Sequence, residues 1–155
     1  SPIRKGDCMF RPICNAAFVL LLAAPAWAED HRILMYSAHP TDPARANVFE
    51  PAFLQVAPGD SVTFVPSDPS HNTASKRGML PEGAEAWNSK VNEEFTVTLT
   101  IEGVYGYICS PHYEMGMVGV IVVGDPSDNL EAAGNVRQQG KAKAAFEALL
   151  AQVGR

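Results

Sequence analysis

The chain has 155 residues, 46% of them hydrophobic and 19% charged, with a formal net charge of −5. That length allows one compact unit of ordinary size, and the acidic balance argues against nucleic acid as a partner, since such binding needs clustered basic charge. The longest uncharged apolar run, Ala16 to Ala24, falls well short of the roughly 20 residues of a permanent membrane span, so no membrane partner is expected.

That run belongs to a leader. Arg4, Lys5 and Arg11 precede it, and Ala26-Trp27-Ala28 closes it, in the order of basic start, apolar core and small-x-small exit that marks an export signal. Met9 is a candidate initiator within it. A signal peptide over residues 1–28 is expected, followed by one domain over 29–155, which places the protein in the periplasm. Removing Arg4, Lys5, Arg11 and Asp7 from 12 basic and 17 acidic residues leaves 9 and 16, a net of −7. Cys8 and Cys14 also leave, so Cys109 has no intramolecular partner in a compartment where disulfides form.

After the leader the chain reads as short strands punctuated by turns. HRILMYS alternates moderately, AHPTDPARAN is a proline-containing loop, and VFEPAFLQVAPGD ends on a Pro-Gly-Asp turn. SVTFVP alternates, with Val62, Phe64 and Pro66 on one face and Ser61, Thr63 and Val65 on the other. A long stretch from Ser67 to Glu93 lacks clear periodicity apart from a faint helical signal at EGAEAW, and a loop of that length is often functional. FTVTLT alternates again, and VYGYIC and VGVIVV form a last strand pair. This pattern predicts an all-β fold, an antiparallel Greek-key β-sandwich.

Two C-terminal α-helices are expected over about 126–154. Asp125 is a cap candidate with Pro126 at the first helical position, and that helix should run to about Gln138. Gly140 breaks the pattern. KAKAAFEALLAQV then places Ala144, Phe146, Leu149 and Val153 near helical spacing, a stripe that should pack against the sandwich.

The chemistry concentrates at CSPHYEMGM, Cys109 to Met117, between the last two strands. Cys109 offers a soft thiolate, His112 an imidazole three residues on, and Met115 and Met117 thioethers. His71, just past SVTFVP, supplies a second imidazole. One thiolate, two imidazoles and a distant thioether are the donors of a type 1 blue copper electron-transfer site. Zinc is the main competing metal, because it accepts the same Cys and His donors. Singly, a buried Cys is usually a small hydrophobe and a loop His is usually solvated; the reading rests on their combination. The two methionines are separated only by Gly116, so one should coordinate while the other packs nearby, and spacing leaves that choice open. An amide of Asn72 is a candidate donor to the Cys109 sulfur. His31 and His39 read as surface histidines.

VFEPAF, PGDSVTFVP with His71-Asn72, MLPEGAEAW, NSKVNE and CSPHYEMGMVGVIVVGD together resemble the pseudoazurins, a branch of the cupredoxin family. The resemblance runs from about Val48 to the C-terminus and includes the two-helix tail. It implies a cupredoxin-like fold and one copper ion bound by His71, Cys109, His112 and Met117. It also implies single-electron shuttling in denitrification to partners such as copper nitrite reductase or a c-type cytochrome, by a monomer that is not an enzyme. His112 would be the exit port, in an apolar patch with Pro111, Met115, Met79, Leu80 and Pro81. Pro69 and Ile108 stand where basic side chains are expected around that port, leaving Lys76, Arg77 and Lys90. A copper enzyme would need further ligands, and only His31 and His39 are spare. Copper delivery or storage is the alternative function, which would favour exposed, exchangeable donors.

Overall fold

The structure, a computed structural model, describes residues 27–155 together with Pro2. Most of the expected leader, including Cys8 and Cys14, lies outside the described residues. The elements run β1 (Asp30–Ala38), β2 (Ala46–Glu50), β3 (Phe53–Val56), β4 (Asp60–Pro66), β5 (Ala74–Ser75), β6 (Phe95–Leu99) and β7 (Gly103–Ile108). A single 3-10 turn (Ser110–His112), β8 (Val118–Val123), α1 (Leu130–Gly134) and α2 (Ala142–Leu150) complete the chain.

Two four-stranded sheets, ordered β2-β1-β4-β6 and β3-β8-β7-β5, face each other as the expected sandwich. Hairpin-like neighbours pair antiparallel, whereas the crossovers β1–β4 and β3–β8 pair in parallel. Between the sheets lie Ile33, Met35, Phe49, Val62, Phe64, Tyr107, Cys109, Met117 and Ile121, all essentially inaccessible to solvent. Phe49, Phe64 and Tyr107 meet edge to face with centroids 4.8–6.1 Å apart, the geometry that aromatic quadrupoles favour.

Every residue of β8 is buried, which explains why VGVIVV is continuous rather than alternating. One face meets the inter-sheet core. The other is covered by α2 through Ala142, Phe146 and Leu149, which pack with Val118, Val120 and Val122. Strand β8 is therefore held on both sides, and the loop that precedes it starts from a fixed anchor.

Two local expectations change. EGAEAW forms no helix: Ser75 and Trp87 exchange backbone and side-chain hydrogen bonds of 2.9–3.2 Å that hold this segment against β5. The first tail helix spans only Leu130–Gly134, beginning later than Pro126 and ending before Gln138. Asp125 Oδ1 accepts from the Ser127 N–H at 2.8 Å, closing a turn ahead of the helix. Asn129 then accepts from the Val104 N–H (2.7 Å) and donates to the Val104 carbonyl (2.8 Å), so the helix start is fastened to β7 by a side chain that mimics a strand. Gly140, at φ +55°, separates α1 from α2 as expected.

Candidate metal centre

Cys109 directly follows β7, and the chain turns at once. The His112 N–H donates to the Cys109 carbonyl (3.1 Å), the Met117 N–H to the His112 carbonyl (3.1 Å), and the Cys109 N–H to the Met117 carbonyl (3.0 Å). Pro111 suits the first turn of the 3-10 segment, where its missing N–H costs nothing. Gly116 takes the positive φ (+91°) that lets the loop close. Three backbone bonds thus fix Cys109, His112 and Met117 side by side.

His71 arrives from the segment after β4, 38 residues away in sequence, and is fully buried. Its Nδ1 lies 3.7 Å from Cys109 Sγ, and Nδ1 of His112 lies 3.5 Å from the same sulfur. The donor atoms of His71, Cys109 and His112 all fall within 4.8 Å of one another. Metal bonds of about 2.0 Å to nitrogen and about 2.3 Å to sulfur, opened to roughly 110–120°, span about 3.5–3.7 Å. Both sulfur–nitrogen spacings therefore match donors that share a single ion.

With Nδ1 facing the sulfur, Nε2 of His71 carries the proton and donates to Ser37 Oγ at 2.9 Å. The Ser37 N–H in turn donates to Asp68 Oδ2 at 2.7 Å. Burial holds the His71 imidazole below its ordinary pKa, helped by neighbouring His112 and opposed by Asp68, so the ring stays neutral and keeps a lone pair for a metal. Burial pushes the Cys109 thiol up, while the backbone N–H groups of Asn72 and His112 pull it down. A cation beside a thiol so placed would favour its thiolate form.

Of the two Asn72 amides, the backbone N–H is the one that favours the Cys109 thiolate. The Asn72 side chain bonds elsewhere, accepting from the Ser110 N–H (2.7 Å) and donating to Ser110 Oγ (3.2 Å) and the Ser89 carbonyl (3.2 Å). One buried amide thereby ties the His71 segment to the Cys109 loop. Nothing in local spacing pointed to Ser37 or Asp68, because their relation to His71 exists only after β1 and β4 pair.

The two methionines separate clearly. Met117 is fully buried in the core beside Cys109, whereas Met115 is 60% exposed and its sulfur accepts from Asn47 Nδ2 at 3.6 Å. His112 is half-buried, with Pro111 and Met115 exposed beside it. The expected patch is smaller than the sequence suggested: Met79 and Pro81 are buried, with Met79 packed against Gly106 in the α2-side core. His31 and His39 are not free surface residues either. His31 Nε2 sits 2.9 Å from Asp60 Oδ2, and His39 Nε2 sits 3.4 Å from Glu50 Oε2.

Residues 41–124 match the family of copper binding proteins of the plastocyanin/azurin type. The chain is 46% identical over 138 residues to a pseudoazurin of Paracoccus pantotrophus, spanning 89% of this chain and 93% of that one. It superposes on the pseudoazurin of Methylobacterium extorquens AM1 with a TM-score of 0.74 at 40% identity, covering 80% of this chain and 98% of the other. For pseudoazurin from Hyphomicrobium denitrificans the TM-score is 0.75 at 35% identity, with 81% and 99% covered. A sandwich with a two-helix tail, a buried thiol flanked by two imidazoles, and these likenesses lead to one conclusion: the chain belongs to the plastocyanin/azurin family of copper binding proteins, on its pseudoazurin branch, and is a blue copper electron carrier and not an enzyme.

Proposed function

We propose that one copper ion is held by His71, Cys109, His112 and Met117, and that the protein carries single electrons in the periplasm between redox proteins of denitrification. A copper nitrite reductase as acceptor and a c-type cytochrome as donor are the partners that fit this reading. The observation that carries it is the pair of imidazole Nδ1 atoms 3.5 and 3.7 Å from one buried thiol. Copper bound there would supply a one-electron Cu(II)/Cu(I) couple.

The chain supplies rigidity and access. Cys109 and Met117 belong to the core packed around Phe49, Phe64 and Tyr107, and His71 is locked by Ser37, so the donors have little freedom to move when charge changes. Met117 is favoured over Met115 as the thioether because it is buried beside Cys109, while the Met115 sulfur faces Asn47 and solvent.

Half-exposed His112 is the only proposed ligand with access to solvent, and the exposed Pro111 and Met115 give it an apolar rim. Such a rim suits brief docking, since transient redox interfaces are small. Of the three basic residues expected around the port, Lys76 lies over the Tyr113 ring, 4.6 Å from its centroid, while Arg77 and Lys90 are exposed and available to steer an acidic partner. Burial of three of the four donors favours a carrier over copper delivery, which needs exchangeable donors at the surface.

Replacing Cys109 by Ser tests the assignment. The copper-loaded protein should lose its intense thiolate-to-copper charge-transfer colour while its circular dichroism stays that of a folded sandwich. Retained colour would overturn it. Partner identity is tested by the rate of electron exchange with purified nitrite reductase and cytochrome as salt is raised.

A further inference from the structure

We propose that export processing creates a second metal site on this chain. It would be a square-planar Cu(II) or Ni(II) chelate formed by the freed α-amine of Glu29, the backbone nitrogens of Asp30 and His31, and Nδ1 of His31. The proposal goes beyond electron transfer and rests on the export reading for its first step.

Hydrolysis of the Ala28–Glu29 bond by water, catalysed by the export peptidase, frees the Ala28 carboxylate and the Glu29 amine. The bond is accessible: Trp27 is 84% exposed and Ala28 is exposed. Among the described residues, Glu29 is the first whose backbone is hydrogen-bonded to the sandwich. Its N–H donates to Asp60 Oδ1 at 2.9 Å and its carbonyl accepts from the Ser61 N–H at 2.8 Å. The cut therefore falls at the edge of the fold, and the new chain begins Glu29-Asp30-His31.

A free amine with an imidazole on the third residue presents four nitrogens that close fused chelate rings in one plane. Planar nitrogen sets select Cu(II) and Ni(II). On binding, the amine and the two amide nitrogens release their protons to water and the metal keeps its oxidation state.

The structure orients His31 for this role. Its Nε2 is 2.9 Å from Asp60 Oδ2, so the carboxylate fixes the proton on Nε2 and leaves the Nδ1 lone pair free, the arrangement by which a carboxylate commonly positions a metal-binding histidine. Asp60 also accepts from the Ala57 N–H at 3.0 Å, which holds the carboxylate in place when the amine departs.

Chelation opens only the end of the β1–β4 ladder, where Asp30 faces Ser61 and His31 faces Val62, and leaves the register from Arg32↔Thr63 to Met35↔Pro66 intact. The six residues from His31 to Ser37 place the chelate about 20 Å along β1 from His71, so the two sites are physically separate.

The test uses the mature chain beginning at Glu29, with its Cys109 centre loaded and oxidised. One equivalent of added Cu(II) should give a second, tetragonal EPR signal with nitrogen superhyperfine structure, and Ni(II) should compete for it. Both His31→Ala and a chain carrying one extra alanine before Glu29, which moves the imidazole to the fourth position, should lose that signal. The extended chain keeps the His31–Asp60 pair, so its loss of signal cannot be ascribed to misfolding.

Absence of the second signal in the Glu29 chain overturns the proposal, as does its persistence in the extended chain. A mass showing that the exported protein starts elsewhere overturns it at the first step. The blue colour is read in the same samples, so failure of the Cys109 centre and failure of the N-terminal chelate are separately visible.

Discussion

Ser37 Oγ lies 2.9 Å from Nε2 of His71, and the two residues are 34 positions apart in the chain. The contact settles which ring nitrogen of a fully buried histidine faces the sulfur of Cys109. Ser37→Ala would leave the Nε2–H without its protein partner, at a cost of about 1–3 kcal/mol. Loss of such an orienting bond typically weakens metal binding about 10- to 100-fold. Copper transfer to a competing chelator should be correspondingly easier, and Ser37→Thr should restore most of the affinity.

The methionines give an internal control. Met117→Leu should keep copper but raise the reduction potential, since a weak donor to Cu(II) is lost from a buried position. Met115→Leu should leave the potential unchanged, because that side chain is 60% exposed and its sulfur is engaged by Asn47. Cyclic voltammetry of both variants checks the pair, and equal shifts would refute the choice of Met117.

Asp60 couples stability to acid. Its pKa lies below the ordinary 3.8, because the Glu29 N–H, the His31 side chain and the Ala57 N–H all favour the carboxylate. A group with a lowered folded-state pKa contributes stability that is present above the unfolded value and lost as pH falls through the folded value. Asp60→Asn should therefore unfold at lower temperature than the parent at neutral pH. The gap should stay constant down to about pH 4 and shrink below it. Thermal melts between neutral pH and strong acid measure this directly.

Tyr107 and Gly119 face each other across β7 and β8, and a Cβ built on Gly119 would fall within the Tyr107 ring. Gly119→Ala should cost about 1–3 kcal/mol through overpacking. The Tyr107 hydroxyl is buried with no hydrogen-bond partner among the described residues, and desolvation raises its pKa far beyond the physiological range. Tyr107→Phe should accordingly stabilise the protein by about 1 kcal/mol, the desolvation penalty of an unpaired hydroxyl. Urea unfolding of the two variants reads opposite shifts of the midpoint.

Much of this molecule is written locally. Alternation in SVTFVP and FTVTLT specifies strands with one buried face, and the unbroken VGVIVV specifies a strand covered on both. Cys-x-x-His before a Gly-broken methionine pair names soft and borderline donors within a single loop, which backbone bonds alone can close. The short helix start was less legible, because Asn129 chose the Val104 backbone over a cap and its partner is 25 residues away. EGAEAW carried a helical composition that Ser75 and Trp87 override by tertiary hydrogen bonds.

The donor types and the β character of the frame follow from side-chain chemistry and short-range periodicity, and so can be read from the residues alone. That His71 reaches Cys109, that Ser37 holds its far nitrogen, and that Met117 is buried while Met115 is exposed had to wait for the folded molecule. Those relations join residues up to 38 positions apart. They arise when two sheets close on one core, and no local pattern encodes a distance that the packing of the whole fold sets.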